Sequence, residues 1–167
     1  FESFNFPHLA EAGVNIIYNE EHILKPDFTK PMIPHTDVDQ NVIVFSLFPG
    51  LQENIIRHVL DAPELRSIVM RSFGSGNAPK KQWLTSMLQQ ASNRGVIIVN
   101  ISQCLAGSVE MSRYDTGYRL KTSGVISGFD STVECAVTKL MCMQGRFTDN
   151  NTVTEYMMQP LCGEITI

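Results

Sequence analysis

Three short runs of apolar, mostly β-branched residues dominate the regular part of this chain. They occupy residues 42–48, 67–70 and 96–100, about 28 residues apart, and helix-spaced apolar residues follow the first two. Continuous apolar runs are typical of parallel strands that are covered on both faces. Because such strands alternate with helices, the pattern predicts right-handed crossovers and an α/β fold, a small parallel sheet flanked by helices in three layers.

The first forty residues differ from the rest. Pro26, Pro31 and Pro34 fall close together, and proline is excluded from helix interiors and central strands. Residues 6–13 resemble a turn, and residues 14–18 resemble a strand. We therefore expect residues 1–40 to be the end of a preceding domain plus an interdomain linker, with one α/β domain in residues 41–167. The lack of a methionine at Phe1 suggests a start inside a longer product.

The charge content of the sequence excludes several classes of partner. Only 18% of residues are charged and the net charge is −4, so no basic surface for nucleic acid or an anionic membrane is expected. No apolar run is long enough to span a membrane. With 43% apolar residues, the low charge predicts surface covered by oligomerisation or by a neighbouring domain.

The four cysteines indicate a reducing compartment. Four thiols in 167 residues are too few for a disulfide framework of the kind found in secreted domains. They form no C-x-x-C motif and no cluster with histidine, so we expect no metal site and a cytoplasmic location. These residues are Cys104, Cys135, Cys142 and Cys162.

Polar side chains follow the predicted strands at their carboxyl ends, where ligands bind in α/β sheets. Arg71 ends an apolar strand, and its planar guanidinium suits a carboxylate, although an ordinary salt bridge explains it as well. Ser102 and Cys104 follow the next strand and are expected beside Arg71, lining a small polar pocket. Nucleophilic chemistry at Cys104 is disfavoured because every histidine precedes residue 60.

The glycine-rich segment 74–79 has three interpretations. It could be a dinucleotide-binding fingerprint, but Pro79 occupies the third glycine position. It could be a turn in which Asn77 caps a helix and Pro79 lies in the first helical turn. The third interpretation, intermediate between these two, is a site in which backbone N–H groups at the helix start hold a small anion. Two further helices are predicted from capping-box patterns at residues 131–134 and 152–155.

No arrangement of acids, bases and nucleophiles on this chain forms a catalytic centre. Residues 113–119, rich in tyrosine and arginine, are typical of either an interface or a solvated loop with a short helix. Several segments do resemble, in the same order along the chain, the cytoplasmic type I L-asparaginases. They are residues 6–10, 71–79, 94–104, 124–134 and 161–166.

That resemblance implies a Rossmann- or flavodoxin-like domain from the carboxy-terminal half of a two-domain amidohydrolase. Enzymes of this family convert L-asparagine to L-aspartate and ammonia through a threonine nucleophile, without a metal or organic cofactor. They assemble as dimers, commonly paired into tetramers. The threonine motifs of the amino-terminal domain, Thr-Gly-Gly-Thr and His-Gly-Thr-Asp, do not occur in this sequence. The resemblance therefore implies no catalytic residue on this chain and an inactive fragment.

The resemblance also implies two sets of binding residues. Arg71, Ser102 and Cys104 match an allosteric L-asparagine site, with the Gly76–Asn77 backbone alongside. Ser102 stands where the bacterial motif usually has threonine.

Tyr114 and Thr116 match positions near the partner subunit's active site, although Arg113, Tyr118 and Arg119 depart from the smaller residues usual there. Two alternatives stay open. One is a stand-alone domain without catalysis that senses an amino acid by binding it at Arg71, Ser102 and Cys104. The other is an unrelated flavodoxin-like module with a degenerate loop.

Overall fold

The computed structural model describes residues 4–29, 31–112 and 114–167, which divide into two compact units, Phe1–Pro34 and His35–Ile167. The first unit contains an antiparallel hairpin of strands β1 (Ala10–Ala12) and β2 (Ile16–Tyr18), followed by a short 3-10 helix at Glu20–His22. Residues 6–13, predicted to be turn-like, include the strand β1 at Ala10–Ala12. Pairing across the hairpin makes residues 10–12 a strand, although their own β propensity is low.

The second unit begins ahead of the predicted domain start at residue 41. Asp39 is bound into it because its backbone N–H donates to the carbonyl of Met141 over 3.0 Å. The Asp39 carboxylate also pairs with Arg66 at 2.7 Å. The last residues of the predicted linker are therefore held against this unit by specific contacts.

The second unit is built on a four-stranded parallel sheet with the strand order β3-β4-β5-β6. Its strands are β3 (Val42–Ser46), β4 (Ser67–Ser72), β5 (Ile97–Ser102) and β6 (Val125–Ser127). Helices α1 (Glu53–Leu60), α2 (Gln82–Asn93) and α3 (Asp115–Thr122) connect successive strands, and α4 (Val133–Arg146) and α5 (Asn150–Met157) follow β6. Within the described ranges, no helix is long and apolar enough to cross a membrane.

Apolar clusters cover both faces of the sheet. Successive residues of β4 alternate between them, so Ile68 and Met70 pack with α1–α3 whereas Val69 packs with α4 and α5. This two-sided burial explains the continuous apolar runs in the sequence, and the predicted three-layer α/β fold is confirmed. The first cluster includes Leu47, Ile56, Leu60, Leu84, Leu88, Ile98 and Leu120; the second includes Val99, Ile101, Ala136, Leu140, Met143 and Val153.

Helix α4 starts one residue later than its capping-box pattern predicted, and helix α5 starts three residues earlier. The N-cap of α4 is Thr132, whose hydroxyl accepts a hydrogen bond from the backbone of Cys135, rather than Ser131. The N-cap of α5 is Asp149, which accepts hydrogen bonds from the hydroxyl and backbone N–H of Thr152, and these lower the pKa of Asp149. An aspartate three residues before a threonine therefore caps this helix in place of the threonine itself.

The C-terminal tail is held against α4 by a buried ion pair between Lys139 and Glu164, and Lys139 also bonds the backbone of Gln159. These three residues are called here the tail clasp. The Lys139 ammonium lies 2.5 Å from the Glu164 carboxylate, and the two side chains are only 6% and 11% exposed. Lys139 also donates to the carbonyl of Gln159. The backbone N–H groups of Leu161 and Cys162 donate to the same carboxylate. These bonds compensate the cost of removing two charges from water.

Candidate functional site at the carboxyl edge of the sheet

Gln103 ties together the carboxyl ends of three strands. Its side-chain amide donates to the carbonyls of Leu47 and Arg71 at 2.6 and 2.9 Å, and its backbone N–H donates to Ser72 at 2.9 Å. The Leu47 N–H also donates to the Arg71 carbonyl. The backbone that carries Arg71 is therefore fixed from both neighbouring strands.

The guanidinium of Arg71 is the unusual group at this edge. Its Nε is buried and finds no hydrogen-bond partner, and among the described residues Arg71 forms no ion pair. An unsatisfied buried donor is rare in folded proteins because its desolvation is not compensated. The described residues therefore do not give Arg71 the ordinary salt bridge that the sequence analysis considered. The Nε donor therefore lacks an acceptor among the described residues, and a carboxylate fits the planar geometry of the guanidinium.

The glycine-rich loop after β4 closes on itself. Asn77 and Phe73 form an antiparallel bridge with hydrogen bonds in both directions, at 2.8 and 2.9 Å. The N–H groups of both Gly76 and Asn77 donate to the Phe73 carbonyl. Because Gly76 and Asn77 already use their N–H groups, neither of these two donors is available to a phosphate, which argues against the dinucleotide interpretation.

Gly76 allows this loop to pack tightly against the sheet. Its φ is +104°, and a Cβ added there would lie 2.7 Å from a side-chain carbon of Val109. The Gly76 carbonyl accepts a hydrogen bond from the buried amide of Asn100. Packing therefore explains why residue 76 is a glycine, and no ligand is needed for that explanation.

The prediction that Asn77 caps the following helix was wrong. Helix α2 begins at Gln82, with Lys81 at its N-cap. The Asn77 side-chain oxygen instead accepts a hydrogen bond from the hydroxyl of Thr116 at 2.8 Å. The anion site predicted at a helix start therefore does not form at Asn77, because the helix starts five residues later and Asn77 faces α3.

Ser102 and Cys104 lie at the same edge as Arg71, but Ser102 has another partner. The Ser102 hydroxyl donates to the carbonyl of Gly74 at 2.7 Å and accepts from the backbone of Cys104 at 3.0 Å. In the strand register Ser102 is opposite Ser72, whereas Arg71 is opposite Ile101. Because adjacent strand residues point to opposite faces, a ligand touching both Arg71 and Ser102 must lie across the strand ends. The shared pocket remains a prediction.

Cys104 is exposed and its thiol is free. His58, the histidine predicted to lie within the regular domain, is exposed on α1. Cys135 differs: burial, reinforced by the nearby charge of Glu164, raises its thiol pKa to about 11. Over residues 4–29, 31–112 and 114–167, no group of three His, Cys, Asp or Glu side chains could hold a metal ion.

Tyr114 and Thr116 begin helix α3, beside the glycine-rich loop. Tyr114 is the N-cap residue and is half exposed. Thr116 contacts Asn77 and so joins two segments that the sequence analysis assigned to different sites. Arg113, which departs from the family pattern, lies outside the described residues. Whether Tyr114 and Thr116 act on a partner subunit stays a prediction.

The sequence analysis did not identify Gln103 and Asn100 as parts of this region. Gln103 orients the strand ends, and Asn100 is fully buried with a side-chain oxygen that finds no partner among the residues the structure describes. The available signal was positional. Asn100 is a polar amide within the apolar run at residues 96–100, and Gln103 is another amide three residues after the run ends; both are unusual where apolar residues are expected.

Comparison with known proteins identifies the family. Residues 41–157 match the model of the glutaminase/asparaginase C-terminal domain. L-asparaginase 1 of Escherichia coli K12 is 37% identical over 166 residues, which is 99% of this chain and 48% of that protein. The human 60 kDa lysophospholipase is 38% identical over 99% of this chain and 29% of its own length.

Solved structures agree with this assignment. L-asparaginase I from Vibrio cholerae superposes with a TM-score of 0.92 at 37% identity, covering 99% of this chain and 50% of that one. The chain thus spans about half the length of these bacterial relatives. The matched family model and these similarities agree with the order of motifs and with the sheet described above. The chain belongs to the family of glutaminase/asparaginase C-terminal domains.

Proposed function

We propose that this chain is the carboxy-terminal half of a cytoplasmic L-asparaginase. In the intact enzyme, water would cleave the side-chain amide bond of L-asparagine to give L-aspartate and ammonia, through a threonine nucleophile in the amino-terminal half. The proposal is supported by family membership, by coverage of 48% of the E. coli enzyme, and by the missing threonine motifs. No cofactor takes part.

We further propose that this domain holds an allosteric site for L-asparagine at the carboxyl edge of its sheet. The observation that carries this is the buried, unpartnered Nε of Arg71. The α-carboxylate of an amino acid would accept hydrogen bonds from this guanidinium. Hydrogen bonds to charged groups contribute about 1.5–3 kcal/mol each. Ser102 and Cys104 would line the opposite side of the ligand.

Assembly into dimers or tetramers is also proposed. Large apolar side chains are exposed on the second unit, and patches of this kind mark interaction surfaces. Val44 and Phe48, at the edge strand β3 and just beyond it, are 44% and 53% exposed, and Leu105 is 74% exposed. Sedimentation analysis should find oligomers whose dissociation is promoted by replacing Phe48 with serine. A chain that is monomeric at every concentration would contradict this part.

The effector site is tested by calorimetric titration of this chain with L-asparagine, using L-aspartate and L-glutamine as comparisons. We expect selective, saturable binding that Arg71→Ala abolishes. The matched control is Arg57→Ala, which removes an exposed arginine that pairs with Glu53 within α1. Binding that survives Arg71→Ala removes the guanidinium from the proposal. A flat trace with the native chain contradicts an effector site that is complete on this domain.

An ammonia-release assay separates this proposal from its alternative. The chain alone should release no ammonia from L-asparagine, and clear turnover would contradict a nucleophile located elsewhere. The alternative is a stand-alone amino-acid-sensing domain without catalysis, which the free guanidinium of Arg71 favours equally. Joining this chain to an amino-terminal asparaginase half distinguishes them, because only a true enzyme half should restore hydrolysis.

A further inference from the structure

We infer that Cys135 and Cys162 form a redox-responsive thiol pair, which a peroxide converts into a disulfide that locks the C-terminal tail onto α4. Both thiols are free in the structure. The carrying observation is that the two cysteines adjoin the same buried ion pair, between Lys139 and Glu164 of the tail clasp. They meet there although most of α4 and all of α5 lie between them in the chain.

Cys162 lies on the tail side of this ion pair. Its backbone N–H donates to the Glu164 carboxylate at 2.7 Å, and its thiol is hydrogen-bonded to the same carboxylate. The thiol is therefore held at the clasp, although the residue is exposed and an oxidant can reach it. Residues 160–164 form neither helix nor strand, so the backbone at Cys162 can adjust to the geometry that a disulfide requires.

Cys135 lies on the helix side of the ion pair. It is in the first turn of α4, four residues before Lys139, and residues at this spacing are neighbours on one face of a helix. The tail is anchored after this position by the pairing of Glu164 with Lys139. It is anchored before this position by the backbone N–H of Thr166, which donates to Asp130 at 2.7 Å. The tail therefore passes close to Cys135, whose side chain is partly buried.

The electrostatics of Cys135 agree with this arrangement. Burial raises its thiol pKa to about 11, and the negative charges of Glu164 and of a Cys162 thiolate add to the effect. Because the interaction between two charges weakens with distance, this influence places Cys162 near Cys135. Burial and the bond to Glu164 also raise the pKa of Cys162. Neither thiol gains from ionising, so a disulfide between them should resist reduction once it has formed.

The chemistry needs a peroxide as oxidant, with hydrogen peroxide as the probe. The Cys162 sulfur attacks one peroxide oxygen, the O–O bond breaks, and the products are a sulfenic acid and one water molecule. The Cys135 sulfur then attacks the Cys162 sulfur, so that the S–S bond forms as the S–O bond breaks. The departing hydroxide takes up the Cys135 proton as a second water. The two sulfurs lose two electrons, which the peroxide gains.

The disulfide would change how the tail is held. In the reduced chain, hydrogen bonds and the ion pair between Lys139 and Glu164 keep the tail on α4. A covalent link from Cys162 to Cys135 fixes the tail one helical turn away from that ion pair, on the same helix. The oxidised tail should therefore stay closed even when the ion pair is removed.

Peptide mapping by mass spectrometry without reductant tests the link itself. After treatment with hydrogen peroxide, the full chain should yield a linked peptide pair that contains Cys135 and Cys162 from one chain and that dithiothreitol separates. Cys104→Ser is the matched control and should leave the link unchanged, whereas Cys135→Ser or Cys162→Ser should each remove it. A chain without the link once Cys104 is fully oxidised, or one that links Cys162 to another cysteine, would overturn the inference.

Hydrogen exchange tests the effect on the tail. Oxidation should slow exchange of the Leu161 and Cys162 amides about tenfold or more, while the centre of β5 stays as it was. In Glu164→Gln these amides should exchange quickly in the reduced chain, and oxidation should restore most of their protection. Linked chains whose tail amides exchange as fast as in the reduced chain would contradict the lock. Thermal melts show whether Glu164→Gln folds, and if it does not, the oxidised and reduced native chains decide.

Discussion

The tail clasp yields a prediction whose magnitude follows from the structure. Burial alone raises the pKa of Glu164, but hydrogen bonds from Lys139 and from the backbone of Cys162 and Leu161 outweigh burial and lower it from 4.5 to about 2. A lowered pKa in the folded state means that the charged carboxylate stabilises the fold. That stabilisation is complete above the unfolded pKa and is lost as the pH falls towards the folded one.

The size of the effect can be worked out from this difference in pKa. Since one pKa unit corresponds to about 1.4 kcal/mol, the charged form of Glu164 contributes about 3 kcal/mol above about pH 5. At pH 3 only about 1 kcal/mol of this remains. Glu164→Gln also leaves the buried ammonium of Lys139 without a counter-charge, and breaking such a pair costs about 3–5 kcal/mol. Both estimates are a large share of a typical stability of about 5–15 kcal/mol.

Urea unfolding followed by circular dichroism, at pH 7 and at pH 3, measures this contribution. Glu164→Gln should lower the free energy of unfolding by about 3 kcal/mol or more at pH 7, and the difference from the native chain should shrink by about 2 kcal/mol at pH 3. Glu155→Gln, on the exposed face of α5, is the control and should change little. A difference that is the same at both pH values would refute the reasoning.

Three further changes test the carboxyl edge and the thiols. Gly76→Ala should lower the free energy of unfolding by about 1–3 kcal/mol, because its φ of +104° and the contact with Val109 exclude a Cβ, and a thermal melt measures this. Gln103→Leu removes the bonds to the ends of β3 and β4, so hydrogen exchange at those strand ends should become faster while the centre of the sheet stays protected. Iodoacetamide at pH 8 should modify the exposed Cys104 well before Cys135, whose thiol pKa is about 11, and mass mapping that finds the reverse order would contradict the assigned burial.

The layers of the fold could be predicted because burial on both faces of the sheet leaves a direct mark on the sequence. Each buried strand requires apolar residues at every position, and each covering helix requires them at helical spacing. The ends of the elements were less well predicted. Asn77 and Thr152 both have the chemistry of a helix cap, and nothing local shows that Thr116 and Asp149 are their partners instead.

The sequence placed the candidate residues at one edge of the sheet but did not show how their side chains are arranged. Arg71, Ser102 and Cys104 were placed at the correct edge because parallel strands bring their carboxyl ends together. The opposite directions of Arg71 and Ser102 follow from the strand register, which the sequence does not specify. The role of Gln103 was missed because its side chain bonds to backbone carbonyls. Since every residue carries such a carbonyl, the sequence does not show which ones a side chain will bond.

The order of the strands has a consequence for how a ligand at this edge is enclosed. In open α/β sheets a binding crevice forms where the strand order reverses, because the connections on its two sides then depart in opposite directions. Strands β3 to β6 follow one another in chain order, so this sheet contains no such reversal. An amino acid bound at these strand ends would contact the edge of the sheet on one side and would not be enclosed by a crevice. Its affinity should therefore increase whenever another protein surface covers that edge.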